Sequence, residues 1–345
     1  MKRVNFDSLY SFHKSVLSHA GLDDETCEAV SFGLCETSLR GVDSHGIRLL
    51  PHYVKSALTG RKNPRPNYQF DRVFPAFGCL DADNTYGHAA GMKAIDLAIP
   101  LSKQYGICAI AVKNSSHPGA MASFALRAAR QGYIAFAFTH ADALVCSHGG
   151  RRAYFGTNPI CVAAPREEEE PFCLDMAPTF IPWNKLLMYR ERGEDLPEPY
   201  AADDIGEPTN DSAMARSLMP IGGYKGYGIA AMVEVLCGVL TGMAFGRAIP
   251  GMYSSPMEQP RRLGQFYMVL RSDVCLSQHE FVRRMQEMTD EVRREPARDD
   301  QQVKLPNDPQ IEIARTRRQE GIPVDNYLYQ ELRKLSQDFN VPIEF

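Results

Sequence analysis

Apolar positions along the chain change period several times, and each change predicts an element. From Phe6 to Ala20 they recur at three- and four-residue spacing, which predicts an amphipathic helix stopped at Gly21. Asp23 or Asp24 then caps a second helix that runs to about Leu39 and ends at Gly41. A third helix follows at Leu49 to Leu58. Residues 59 to 75 are polar, carry three prolines, and read as a linker from a helical N-terminal part to the main body. Asp83 to Tyr105 gives a turn and a helix, and Ile107 to Val112 is an apolar run of strand length. Asn114 to Gly119 breaks that strand, and Ala120 to Arg130 reads as a helix ending at Gly132, with Met121, Phe124, Ala125 and Ala128 on its buried face.

After Gly132, YIAFAFTH predicts another strand, followed by a loop with Gly149-Gly150. GTNPICVAAP and PFCLDMAP then make a hairpin whose tip, REEEE, reads as a solvated loop. Residues 182 to 219 hold few apolar anchors and read as a long surface excursion, a flap over a site. Ile229 to Phe245 is apolar but interrupted by Glu234, which predicts a buried core helix rather than a membrane span. GQFYMVLR at 264–271 is a late strand, Ser277 with Glu280 makes a capping box, and two helices follow, from near Pro309 to Gly321 and from about Asp325 to Asn340. Strands that alternate with helices predict an α/β protein.

Composition narrows the class. The 345 residues suffice for two or three domains, and 44% hydrophobic with 23% charged residues is an ordinary globular balance. A net charge of −4 without any Lys/Arg-rich run argues against a nucleic-acid partner. The polar, amphipathic start has no apolar core, so neither a signal peptide nor a membrane segment is predicted. Nine cysteines lie scattered without a C-x-x-C pair, which suits free thiols in a reducing cytosol better than disulfides or a metal site, and a cytoplasmic protein is expected.

Three places carry candidate chemistry. His117 lies in the turn between a strand and a helix, where a side chain is exposed at a sheet edge; it reads equally as a turn histidine making a local hydrogen bond. GVDSHGIRLL sets Ser44, His45 and Arg48 within five residues, a hydroxyl, an imidazole and a guanidinium suited to holding a carboxylate and moving a proton, or simply a capped loop feeding a helix. GGYKGYG puts Lys225 at a helix start that favours an anion, or is a glycine-rich packing turn. There is no G-x-G-x-x-G, P-loop, G-x-S-x-G or H-E-x-x-H.

The ordered stretches GVDSHG (41–46), NSSHPGA (114–120), GTNP (156–159), LDMA (174–177), GEPTND (206–211) and GGYKGYG (222–228) resemble the type-2 malate/L-lactate dehydrogenase family. LTGMAFGR (240–247) and RRLGQF (261–266) look most like its ureidoglycolate dehydrogenase branch. The resemblance implies hydride transfer between NAD or NADP and a small 2-hydroxy or 2-oxo acid, in a homodimer. It implies an α/β fold with a non-Rossmann mixed-sheet cofactor domain at residues 73–275, and a helical domain built from residues 1–72 and 276–345. Carried over by motif, His117 is the proton acceptor and donor, with His45 and Ser44 beside it. Asp175, Met176, Ala177 and Lys225 match cofactor-contacting positions, as do Pro306, Asn307 and Asp308.

The sequence also departs from the family pattern. The family arginine four residues after the first histidine is Leu49 here, and Arg48 is the expected carboxylate clamp in its place. The usual Thr-Asn is Thr139-His140, and the usual Pro-aromatic-Gly-Gly is Ser147-His148-Gly149-Gly150, which makes His140 and His148 the next substrate-binding candidates. These altered loops motivate the alternative of a non-catalytic relative that binds a nucleotide or metabolite.

Overall fold

The strand-length apolar runs form strands, and helices pack both faces of the largest sheet. In the computed structural model, which describes residues 2–345, the chain begins β1 (Lys2–Val4), α1 (Phe6–His19), α2 (Asp24–Leu39), α3 (Leu50–Leu58), β2 (Gln69–Phe74), β3 (Phe77–Asp81), α4 (Gly87–Tyr105) and β4 (Ile107–Ser115). It continues α5 (Ala122–Ala129), β5 (Tyr133–Thr139), β6 (Val145–Cys146), β7 (Ala153–Phe155), β8 (Ile160–Ala164), β9 (Phe172–Met176), α6 (Trp183–Arg192), β10 (Ala201–Ala202), β11 (Pro208–Thr209) and β12 (Ser217–Leu218). It closes α7 (Tyr224–Glu234), β13 (Leu263–Arg271), α8 (Gln278–Arg293), α9 (Asp308–Glu320), β14 (Ile322–Val324) and α10 (Asn326–Phe339).

The seven-stranded sheet has the order β2-β3-β4-β13-β5-β8-β9. Only β3 and β4 run parallel; every other neighbouring pair is antiparallel, so the fold is mixed α/β. Alternate residues of its strands face two cores. Ile110, Ala137, Tyr267 and Val269 pack with Ile95 of α4 and Phe124 of α5, while Ala111, Phe138 and Phe266 meet Val233 of α7 and Cys237. The chain's two ends join: β1 pairs antiparallel with β14, and Leu9 and Val16 of α1 share a core with Leu328 and Leu332 of α10.

Three expectations need correction. Residues 59–75 are not a bare linker, since Gln69–Phe74 is the edge strand β2 and both Arg61 and Lys62 are buried. Arg61 is accommodated because its guanidinium donates to the carbonyls of Gly251, Met252 and Gln259 at 3.0, 2.9 and 3.1 Å. The excursion 182–219 has its own anchor, with Ile181, Leu186, Leu196, Ala201 and Leu218 clustered under α6 and a five-stranded sheet, β11-β10-β12-β6-β7. The apolar run 229–245 is not a buried helix. α7 gives way after Glu234 to one π-helical turn, Val235–Val239; Val233 and Cys237 face the sheet, whereas Met232, Val235, Val239, Leu240 and Phe245 are exposed. Among the described residues, no helix is long and apolar enough to cross a membrane.

The acidic tip between β8 and β9 also does more than solvate a loop. Glu170 and Glu36 of α2 share Arg130, at 2.8 and 3.0 Å. Glu169 and Asp308 share Arg293, at 2.9 and 2.7 Å, so the tip ties α8 to the start of α9. The Arg293 hydrogen bond holds Glu169 below the usual carboxylate range; burial pulls Asp308 upward, but Arg293, the Leu305 N–H and Arg166 together hold it low as well. Carboxylates held low stabilise the fold above their unfolded values and lose that contribution as pH falls. Arg293→Gln is therefore expected to lower unfolding stability by about 2 kcal/mol at neutral pH, a deficit that closes below about pH 4; urea midpoints measured across pH check both.

Candidate active site

β4 delivers the chain to a turn that is fixed from three sides. Asn114 (φ +52°) and Gly119 (φ +72°) take left-handed backbone conformations. Ser116 Oγ donates to Thr85 O at 2.9 Å and accepts from Gly87 N at 3.1 Å, and the Gln265 amide of β13 donates to Ser116 O at 3.2 Å. Gly87 has to be glycine, since a Cβ there would meet Ser116 O at 2.1 Å. His117 is thereby aimed into a cavity of about 920 Å³, large among small-molecule sites.

His45, from the short turn after α2, enters the same cavity and stacks on His117, with ring centroids 5.6 Å apart and 23° between planes. Its Nδ1 lies 2.9 Å from Ser44 Oγ, and Asn184 at the start of α6 donates to Ser44 O at 3.1 Å. On its other side, His117 Nδ1 is 2.8 Å from Tyr53 Oη. Pro182, Trp183 and Asn184 line the cavity, so the excursion does form part of its wall. Buried Arg261 also lines it, paired with Asp142 and donating from Nε to Pro250 O at 2.9 Å.

Burial dominates the titration of both rings. Burial lowers His45 to about 4. Burial, and then repulsion from Arg261 and Lys62 and from His45 and His88 where they take up protons, hold His117 well below the ordinary imidazole range. Both rings are therefore neutral near neutral pH, and able to accept a proton.

A second stretch of the cavity suits a larger ligand. Leu174, Asp175, Met176 and Ala177 line it at β9, the edge strand, whose outer backbone groups have no neighbouring strand in this sheet. Asp175 accepts from Ala122 N at 2.8 Å in the first turn of α5, and burial lifts its carboxyl to about 6. Opposite lie Pro306 and Asn307, the latter at φ +84°, donating from Nδ2 to Pro171 O at 2.7 Å and accepting from Arg40. The Arg40 guanidinium and the α5 start already pair with Asn307 and Asp175, and the free edge of β9 beside them leaves an open row of backbone donors and acceptors, chemistry that fits a dinucleotide such as NAD or NADP.

Ser44, His45, His117, Asp175, Met176, Ala177, Pro306 and Asn307 thus line one cavity, and the remaining sequence candidates do not. Arg48 is turned away from it and pairs with Asp325, the N-cap of α10, so the expected clamp is absent from the cavity. His140 is buried behind the wall, its Nε2 accepting from Gly264 N at 2.8 Å, because the end of β5 points it into the sheet. His148 is exposed with its ring 6.1 Å from Tyr224. Lys225 is exposed at the rim, on a helix start whose Gly226 packs under Pro178, the residue after Ala177. Asp308 is occupied by Arg293. Sequence reasoning missed Arg261, Asp142, Arg40, Tyr53 and Asn184. Only Arg261 lay inside a quoted motif, and its partner Asp142 is 119 positions away.

Besides His45, burial lowers His13 to about 4, and His52 and His88 to about 3. Histidines with folded values below the unfolded value of about 6.5 cost stability as pH falls through the window between the two, because the unfolded chain binds the extra protons. Stability is expected to fall between about pH 6.5 and 4, by about 1.4 kcal/mol per pH unit for each histidine kept neutral. Urea titrations over that range check it; a flat midpoint there would contradict the neutral assignment.

Comparison with known proteins gives the family and the fold. Residues 4–333 match the family model described as malate/L-lactate dehydrogenase. The chain is 33% identical to a malate dehydrogenase of Pyrococcus abyssi, over 98% of this chain and 95% of that one. It is 32% identical to the ureidoglycolate dehydrogenase (NAD(+)) of Escherichia coli strain K12, over 96% and 95%. Among solved structures, malate dehydrogenase from Entamoeba histolytica superposes with a TM-score of 0.94 at 26% identity, covering 100% and 99% of the two chains. Sulfolactate dehydrogenase from Methanocaldococcus jannaschii gives 0.92 at 27%, covering 99% of each. The chain belongs to the malate/L-lactate dehydrogenase family of oxidoreductases, which act on hydroxy acids with NAD or NADP.

Proposed function

We propose that the protein transfers a hydride between NAD or NADP and a small 2-hydroxy or 2-oxo acid of the malate, lactate or ureidoglycolate kind. The observation that carries this reading is the stacked, neutral pair His45 and His117 in one cavity with the buried guanidinium of Arg261. His117 accepts the hydroxyl proton during oxidation and returns it during reduction, with Ser44 and His45 beside it. Arg261 holds the substrate carboxylate in the role expected of Arg48. Asp142 beside it disfavours a second carboxylate at that end and suits a substrate with N–H donors there. Trp183 and Pro182 supply an apolar wall to the site.

Asp175, Met176, Ala177, Pro306 and Asn307 would hold the cofactor, which when bound supplies or accepts the hydride. Lys225 would reach it from the rim, and Asp308 would act by anchoring the loop through Arg293. The expected boundary at 72/73 would cut β2, so the non-Rossmann cofactor domain starts with that strand at Gln69 and runs to 275, and the residues before it, with 276–345, form a helical one. The exposed apolar face of α7 and its π-helical turn supports a homodimer, with a second copy covering it.

Absorbance of the reduced nicotinamide, followed with malate, lactate and ureidoglycolate and either cofactor, tests the activity; no turnover of any 2-hydroxy acid with intact cofactor binding would reject it. His117→Asn should lower kcat by about 10²–10⁴-fold, and normal turnover would move the proton to His45. Arg261→Lys should raise KM for the oxo acid by about 10–100-fold while leaving cofactor affinity unchanged, since a point charge replaces a planar fork. An unchanged KM would place the carboxylate elsewhere.

A further inference from the structure

We infer that Tyr53 is a positioning residue that fixes His117 as the Nδ1–H tautomer, leaving Nε2 as the proton-accepting nitrogen in the cavity. The inference rests on the reading of His117 as the acid and base. A histidine works as a base only through the nitrogen that carries no proton, and the partner of its other nitrogen decides which one that is. That partner is commonly a carboxylate or a backbone carbonyl. Here, among the described residues, no carboxylate pairs with the His117 ring; its one hydrogen-bonding neighbour is the Tyr53 phenol, with Oη 2.8 Å from Nδ1.

A phenol can play either part, so its second contact decides. Tyr53 Oη also lies 3.3 Å from the carbonyl oxygen of His117 itself. The hydroxyl has one proton to give. If it gave that proton to Nδ1, the carbonyl would lose its hydrogen bond, and no other donor among the described residues reaches that oxygen. If it gives the proton to the carbonyl, Nδ1–H donates to Oη and both contacts are satisfied. Only the second arrangement satisfies every group, and it leaves Nε2 without a proton.

Tyr53 is held firmly enough to impose this choice. It is fully buried on α3, its carbonyl accepts from Tyr86 Oη at 2.8 Å, and the Tyr86 ring meets it edge-on at 5.7 Å. Lys62, buried and with no hydrogen-bond partner for its amine, lies 3.9 Å from the centre of the Tyr53 ring, and the buried ring of His88 packs 5.6 Å away. The groups facing His117 are thus His45, His88, Lys62 and Arg261, none of them anionic, and Tyr53. A phenol partner orients the ring without adding a negative charge that would retain the proton.

Nitrogen-15 spectra of the histidine-labelled enzyme, with His117 assigned by its absence in His117→Asn, read the tautomer directly. Protonated Nδ1 and bare Nε2 are expected; a proton on Nε2 of the free enzyme overturns the inference. Tyr53→Phe keeps the ring against which Lys62, Tyr86 and His88 pack, and should lower kcat by about 10–100-fold with KM and cofactor affinity unchanged and the His117 signals shifted toward the other tautomer. Wild-type kcat, or unshifted His117 signals, in Tyr53→Phe would also overturn it. The spectrum of the unmutated enzyme needs no variant to fold, and it does not depend on whether His117→Asn retains turnover, which tests the underlying reading separately.

Discussion

The side-chain amide of Gln265 is the contact on which the site depends. Gln265 is fully buried in β13, its amide nitrogen donates to Ser116 O at 3.2 Å and reaches Gly87 O at 3.4 Å, and its oxygen accepts from Tyr267 Oη at 3.0 Å. One residue of the central strand therefore joins the turn that carries His117 to the start of α4. β13 enters the sheet between β4 and β5 although it follows β5 by more than a hundred residues in the chain. The His117 turn is completed only when this late strand docks, so the geometry of the candidate site and sheet closure form one cooperative event.

How far the chain could be read from its residues follows the distance over which each decision is made. Helix starts were legible because their caps are local: Asp23, Ser277 and Asp325 each accept from a backbone N–H three residues on. The turn around His117 and the pairing of β8 with β9 were legible for the same reason. Charged side chains were not. Arg48 turned to Asp325, 277 positions away, and Arg261 found Asp142. Nothing near Arg48 distinguishes it from a clamp, because a guanidinium goes to whichever carboxylate the fold brings closest. His140 was misread similarly: its use was decided by Gly264 N across the sheet. The run 229–245 failed differently, since apolar content gives the demand for burial but not what meets it.

The charge balance around the stacked histidines bears on how the site would serve both directions of the proposed hydride transfer. Arg61, Lys62 and Arg261 are buried near His52, His88 and His117, with Asp142 as the carboxylate paired to Arg261. Burial first, and then the neighbouring positive groups, hold the histidines neutral, which suits the removal of a proton; burial pushes Lys62 well below its own ordinary value too. Returning a proton requires the opposite state, and the empty site disfavours it. A 2-oxo acid bound as proposed would change this, because its carboxylate beside Arg261 would offset the positive charge that opposes an imidazolium at His117. In the proposed reading, the carboxylate is thus more than a handle for orientation. It moves the proton affinity of the base towards what reduction needs, and its leaving restores the neutral ring. A partner carboxylate built into the protein would hold the imidazolium in both states, so a neutral phenol at Nδ1 and a substrate-borne charge at the clamp make a consistent pair.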